Sequence, residues 1–315
     1  MNKPLKPVNL HLNTVSVSDI ETHKNITTKD LRRDLDNLNK FDADTNANNF
    51  AGNPFLYHHQ FKNLLKCRRE DGQTIYDIAA DPVKWAKLIE NTAVRNRGGR
   101  TAAGNVFECF RINLGSVVMF KSTTAKYLYK KYRAKSVLDP TAGWGGRMLG
   151  AWSLGIDYTG IDTNVEMTQA YADMMAFLAA ETGFDNALFE VDNGSNLQMI
   201  WDSCLAVDFS KIHYDFVLTS PPYVNLEVYE HMALWGTDEA FYKGFFIPLW
   251  QKCVDHIQPG GHVAFNISPK MYADALKFGL TACDEEEDLL QQMGQKANAL
   301  KKGKKKQDKI YVWRC

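Results

Sequence analysis

Two short stretches carry residue types able to act on a ligand. The first is Val137-Leu138-Asp139-Pro140-Thr141-Ala142-Gly143-Trp144-Gly145-Gly146-Arg147, a buried-strand pattern that ends in an acid and runs through a glycine-rich turn into a helix. Glycines at such a turn let the backbone approach a ligand closely, and the helix start offers unpaired N–H groups. A nicotinamide enzyme would place G-x-G-x-x-G after the strand to receive a pyrophosphate. Here the spacing is G-x-G-G, and Asp139 stands where a diphosphate would be repelled. A carboxylate suits a cationic ligand instead, such as the amino group of a methionine moiety. The next strand pattern ends at Asp162, where a carboxylate can accept both hydroxyls of a ribose. A third, Leu188 to Val191, runs into Asp192, placed to contact an adenine amine.

The second stretch is Asp215-Phe216-Val217-Leu218-Thr219-Ser220-Pro221-Pro222-Tyr223. Two prolines end the buried strand and stiffen the turn, because proline fixes φ and lacks an N–H. A corner held in this way presents hydroxyl and carbonyl oxygens in a fixed direction, with an aromatic ring directly after them. Such a set suits an aromatic amine, whose lone pair is delocalised into its ring. The Ser220 hydroxyl and the Pro221 carbonyl can each accept one N–H, which favours a pyramidal nitrogen able to attack a methyl donor. Tyr223 can stack on a base turned out of its helix. Chemistry of this kind rests on positioning and electrostatics, with no covalent enzyme intermediate.

The Asp139-to-Gly146 stretch resembles the D-P-x-x-G-x-G motif of S-adenosylmethionine-dependent DNA amino-methyltransferases. Ser220-Pro221-Pro222-Tyr223 matches that family's D/N/S-P-P-Y/F/W motif in full. The segment Met119-Phe120-Lys121-Ser122-Thr123-Thr124-Ala125-Lys126 is similar to the part of the family that closes over the methionine end. The resemblance covers about residues 117–315. It implies a Rossmann-like class I methyltransferase fold, with S-adenosyl-L-methionine as cofactor and no metal. The cofactor would be held by Phe120, Lys121, Asp139, Pro140, Thr141, Gly143, Gly145, Gly146, Asp162 and Asp192. It further implies methyl transfer to an exocyclic amino group of a DNA base, at Ser220, Pro221, Pro222 and Tyr223. The serine form of the motif favours cytosine N4 over adenine N6. One departure stands out: the cofactor motif comes first, whereas many N4-cytosine enzymes have the opposite order, and the interval has no room for a target-recognition domain. Target reading then falls to the helical region or to a partner. RNA base methylation and a non-catalytic nucleic-acid-binding subunit are the alternatives; the intact motifs speak against the second.

Contacts to phosphates are expected from Arg95, Arg97 and Arg100 around Gly98-Gly99, and from Lys301, Lys302, Lys304, Lys305 and Lys306 before the last strand. Such contacts position a nucleic acid without reading its sequence. The balance of 37 basic against 37 acidic residues gives no global signal, so any such surface must be local. Tyr127, Tyr129 and Tyr132, interleaved with lysines, fit one amphipathic helix better than a stacking platform.

Short apolar runs separated by helical patterns must position these residues: Ser136 to Asp139, Tyr158 to Ile161, Leu188 to Val191, Phe216 to Thr219 and Val263 to Ile267. They predict an α/β fold, a doubly wound and mostly parallel sheet, closed by an antiparallel last strand at Lys309 to Arg314. Ahead of it, residues 27–116 carry helical spacing, with Thr28 as a cap, and form a possible target-recognition element. Residues 1–26 are polar and expected to be an extended or disordered arm, and residues 117–315 to be the catalytic domain. The 315 residues are 45% hydrophobic and 12% aromatic, enough for a full core. No run suggests a signal peptide or membrane span, and six scattered cysteines form no C-x-x-C pair, so an intracellular, cytoplasmic protein is expected. Nothing in the sequence sets an oligomeric state.

Overall fold

The computed structural model describes residues 11–45, 49–69, 72–95, 100–114, 119–182, 195–223, 227–228, 235–288 and 308–315. Its centre is a seven-stranded sheet. In chain order the strands are β1 (Ser136–Asp139), β2 (Asp157–Asp162), β3 (Leu197–Trp201), β4 (Phe216–Thr219), β5 (His262–Ile267), β6 (Glu285–Asp288) and β7 (Lys309–Arg314). Their spatial order is β3-β2-β1-β4-β5-β7-β6. The first five run parallel, while β7 is antiparallel to both of its neighbours. This is the doubly wound, mostly parallel Rossmann-like arrangement with an antiparallel last strand in chain order. The order reverses between β1 and β4, and the crevice beyond their carboxyl ends is where ligands bind in open sheets of this type.

Among the described residues, nine longer helices flank the sheet or precede it: α1 (Thr28–Lys40), α2 (Asn53–Leu65), α3 (Pro82–Arg95), α4 (Ala102–Leu114), α5 (Ser122–Lys131), α6 (Gly146–Trp152), α7 (Thr168–Thr182), α8 (Ile247–His256) and α9 (Pro269–Lys277). The cap of α1 is Thr27, whose hydroxyl accepts from the Asp30 amide; Thr28 is already helical. Pro82 opens α3, where its missing N–H costs nothing. The two faces of the sheet feed two cores. Val137, Phe216 and Leu218 join Leu31, Leu35, Phe55, Leu56 and Val106 of the helical region on one side. Leu138, Val217, Val263 and Phe265 meet Phe246, Leu249 and Trp250 on the other. Alternate residues of one strand thus point into opposite layers, as the pleat requires. The helical region shares a core with the sheet and packs directly on it.

Three differences from the sequence reading concern elements. Residues 17–22 of the expected polar arm form a short helix closed by a capping box between Ser16 and Asp19, with Ile20 fully buried. The expected strand Leu188 to Val191 lies outside the described residues; the strand that pairs with β2 is Leu197–Trp201, further along the chain. No strand is expected from the sequence at Glu285–Asp288, which forms the edge strand β6. Glu285 and Glu287 on one side reach Tyr132, Lys131 and Arg314, while Glu286 pairs with Lys309. Among the described residues, no helix is long and apolar enough to cross a membrane, and no group of three acids, histidines or cysteines is placed to hold a metal.

Candidate cofactor and substrate site

The glycine turn joins β1 to α6 at the sheet's reversal point. Asp139, the last residue of β1, is 0% exposed and is bound by two buried neighbours. Arg147 Nε lies 2.6 Å from Asp139 Oδ2, and the Tyr158 hydroxyl donates to the same oxygen at 2.7 Å. Arg147 also donates to the Thr141 carbonyl and lies under the Phe120 ring. Burial pulls the Arg147 guanidinium down, but the charge and hydrogen bond of Asp139 outweigh it and the net shift is upward. Asp139 is therefore not the uncompensated charge that the sequence suggested. Arg147 neutralises it, and what remains for a ligand is Oδ1, buried and without a hydrogen-bond partner among the described residues. Sequence reasoning missed Arg147 because arginine early in a helix normally faces solvent.

Asp162, at the end of β2, accepts from the Gly143 amide at 2.8 Å and from the Asn164 amide at 2.9 Å. Burial raises its pKa, and the two amide bonds pull it back. A carboxylate offers about four lone-pair sites, so two of them stay open for hydroxyls. The Gly143 bond ties the turn to the tip of the neighbouring strand. Gly143 and Gly145 have φ of 57° and 86°, a region glycine enters without strain. A Cβ on Gly143 would meet nothing closer than 3.9 Å, leaving open space against the turn, whereas a Cβ on Gly146 would overlap the Phe120 carbonyl.

Phe120 and Lys121 run past the start of α6, both buried. The Lys121 ammonium, 3% exposed, sits 4.0 Å from the centroid of the half-exposed Phe50 ring, and burial pulls its pKa down to about 8. Helix α2 closes the same turn from the helical region: Leu56 is 3.6 Å from the Cβ positions of both Gly145 and Gly146.

The serine–diproline corner follows β4, next to β1 in the sheet. Thr141 Oγ1 of the glycine turn and Thr219 Oγ1, the residue before Ser220, are 2.6 Å apart. The two motifs are thus in contact. Pro221 is buried, and Ser220, Pro222 and Tyr223 are half-buried. Ser220 Oγ accepts from Asn266 Nδ2 at 3.1 Å. Burial raises the Asp308 carboxyl, and the nearby Tyr223 side chain pulls the other way. Neither Asn266 nor Asp308 stood out in the sequence, since Asn266 lies in β5 and Asp308 just before β7, both remote from the motif in the chain.

Among the other expected site residues, Asp192 lies outside the described residues. The acid that follows β3 is Asp202, exposed, with Oδ1 accepting from the Ser203 amide. The run Leu197-Gln198-Met199-Ile200-Trp201-Asp202 was the signal that could have found it. Pro140 is buried in the turn. Arg95 ends α3 and is exposed, and Arg100 pairs with Glu108 at 3.6 Å. Arg97, Lys301, Lys302, Lys304, Lys305 and Lys306 lie outside the described residues. Arg68–Arg69 forms a two-residue antiparallel ladder with Glu227–Val228, which follows Tyr223 in the chain.

No protein-family model and no curated protein sequence matches the chain. Several solved structures are similar to it. An RNA methyltransferase from Salinibacter ruber, in complex with S-adenosyl-L-homocysteine, is 13% identical at a TM-score of 0.37, over 62% of this chain and 93% of that one. TrmN from Thermus thermophilus is 16% identical at a TM-score of 0.39, over 61% of this chain and 48% of that one. An rRNA methylase from Streptococcus thermophilus is 13% identical at a TM-score of 0.38, over 62% and 96%. Identity and TM-score are both low, and the fold assignment rests on the strand order itself.

Proposed function

We propose that this chain is an S-adenosylmethionine-dependent methyltransferase acting on the exocyclic amine of a DNA base, cytosine N4 ahead of adenine N6. The observation that carries the reading is the 2.6 Å contact between Thr141 and Thr219, which joins the glycine turn to the serine–diproline corner where the strand order reverses. The cofactor supplies an electrophilic methyl on sulfur: the amine lone pair forms the N–C bond, the C–S electrons go to sulfur, and the nitrogen's proton passes to water.

The residues fit that cofactor. Asp139 Oδ1, buried without a partner, suits the methionine amino group, and Lys121 suits its carboxylate. Asp162 keeps acceptor capacity for the ribose hydroxyls, and Asp202 takes the place expected of Asp192 at the adenine. At the corner, Ser220 Oγ and the Pro221 carbonyl accept the amine hydrogens and aim its lone pair; Tyr223 offers its ring to the base. Arg68 and the lysines at 301–306 are the proposed phosphate contacts. The helical region 27–116, packed on the turn through Leu56, is the element left to read the target.

The test is incubation with methyl-labelled cofactor and matched DNA and RNA, followed by mass spectrometry of the nucleosides. N4-methylcytosine in DNA is the expected product. Label only in RNA would defeat the DNA assignment, and failure to bind S-adenosylhomocysteine in calorimetry would defeat the whole reading. Ser220→Ala should leave cofactor affinity unchanged and lower kcat by about 10²–10³, the scale of a lost transition-state hydrogen bond.

Lys121 gives a pH signature. Only its protonated form attracts a carboxylate, so cofactor affinity should be full below about pH 8. Above that it should weaken by up to about tenfold per pH unit, since one proton is linked to binding. Lys121→Met should bind more weakly at pH 7 and lack this part of the slope. The ligand's own amino group titrates equally in both proteins, so the difference between the two curves isolates Lys121. Parallel curves would rule the lysine out.

A further inference from the structure

Strand β5 is buried on both faces, and from Val263 to Ile267 it reads Val-Ala-Phe-Asn-Ile. Asn266 is the polar exception in that run, only 5% exposed. A buried polar group left unpaired is costly. Its neighbour is Ser220, which follows β4, the strand beside β5 in the same sheet. Asn266 Nδ2 donates to Ser220 Oγ at 3.1 Å, and the Ser220 hydroxyl donates to the Asn266 backbone carbonyl at 3.4 Å. Asn266 Oδ1 is buried and has no hydrogen-bond partner among the described residues.

We infer that Asn266 is a positioning residue for the transfer, fixing the Ser220 hydroxyl so that it can only accept from the substrate amine. A hydroxyl has one donor and two acceptor sites. Here the donor is spent on the Asn266 carbonyl and one acceptor site on the Asn266 amide, which leaves a single lone pair. A freely turning hydroxyl would often point its hydrogen at the amine nitrogen instead, engaging the lone pair that must attack the methyl. A neutral amide does this without a buried charge beside the cationic donor. A polar residue that breaks the apolar pattern of a central strand belongs where function outweighs packing.

This inference rests on the reading of the corner proposed above. Its test is a double-mutant cycle on methyl transfer to unmodified DNA and RNA, with S-adenosylhomocysteine affinity and melting measured alongside. Asn266→Leu, close in volume, should melt at or above the wild type, because a buried amide oxygen without a partner among the described residues is gone. It should nonetheless lose about tenfold to hundredfold in kcat, with cofactor affinity unchanged. Asn266→Ala should lose a similar factor, and Ser220→Ala/Asn266→Ala should be no slower than Ser220→Ala alone, since Asn266 acts only through that hydroxyl. Full kcat in both single variants, or losses that multiply in the double variant, would overturn the inference while leaving the methyltransferase intact. A wild type that methylates neither nucleic acid removes the function and this inference together, a pattern distinct from active variants.

Discussion

Replacing Arg147 by methionine should destabilise the fold by about 3–5 kcal/mol, the range for removing one partner of a buried ion pair. Asp139 is 0% exposed and Arg147 4%, so no water can take the place of the guanidinium. The variant would strand a carboxylate whose sole remaining hydrogen bond among the described residues comes from the Tyr158 hydroxyl. It would also release the Thr141 carbonyl, and with it the turn that meets Thr219. The companion variant separates stability from function. Asp139→Leu/Arg147→Met removes both charges and should recover most of the lost stability, since well-packed apolar pairs often match buried ion pairs. It should still fail to bind S-adenosylhomocysteine, because Asp139 Oδ1 is gone. Denaturant unfolding with calorimetry on both variants checks this. A single variant within about 1 kcal/mol of wild type would show the pair to be better solvated than its burial implies.

The same pair shows where a sequence stops being readable. The glycine turn, its acid and the corner after β4 are local patterns, and the strands that carry them are short apolar runs whose length and flanks identify them. β1, β4 and β7 therefore lie where the sequence places them, and β2 and β5 extend the expected runs by a residue or two. Two apolar runs end in acids, Leu188 to Asp192 and Leu197 to Asp202, and periodicity cannot choose between them as the neighbour of β2. Pairing with β2 does: Asp162 stands opposite Trp201 in the register. Edge strand β6 is invisible for another reason. Glutamate is a poor strand former, and Glu285–Asp288 is extended because β7, Lys131, Tyr132 and Arg314 hold it there. Arg147, Asn266 and Asp308 acquire meaning only through neighbours distant in the chain, which no spacing encodes. The cap at Ser16 was legible as S-x-x-D and was passed over in a stretch that looked merely polar.

Gly146→Ala should be the most damaging single-methyl change at the turn. A Cβ there would overlap the Phe120 carbonyl oxygen and lie 3.0 Å from the carbonyl carbon. Both are main-chain atoms, so no side chain can rotate away; either α6 or the Phe120–Lys121 segment must move. That segment is fixed in turn, because Ser122 packs on Gly52 and the Thr123 hydroxyl donates to the Asn49 carbonyl. Overpacking of this kind costs about 1–3 kcal/mol. The larger effect should fall on the ligand, since the displaced residues include Lys121: cofactor affinity should drop by at least about tenfold, the equivalent of 1.4 kcal/mol. Gly143→Ala is the control. Its added carbon meets nothing within 3.9 Å, and its φ of 57° lies in the left-handed region, costing about 1–2 kcal/mol for a residue with a Cβ. If the glycines serve different neighbours, Gly143→Ala should lose affinity only by crowding the ligand side, with Lys121 still shaping the pH curve, whereas Gly146→Ala should lose that shape as well. Calorimetric titrations at pH 7 and pH 9 on both variants distinguish a turn that packs on its own chain from one that packs on what it binds.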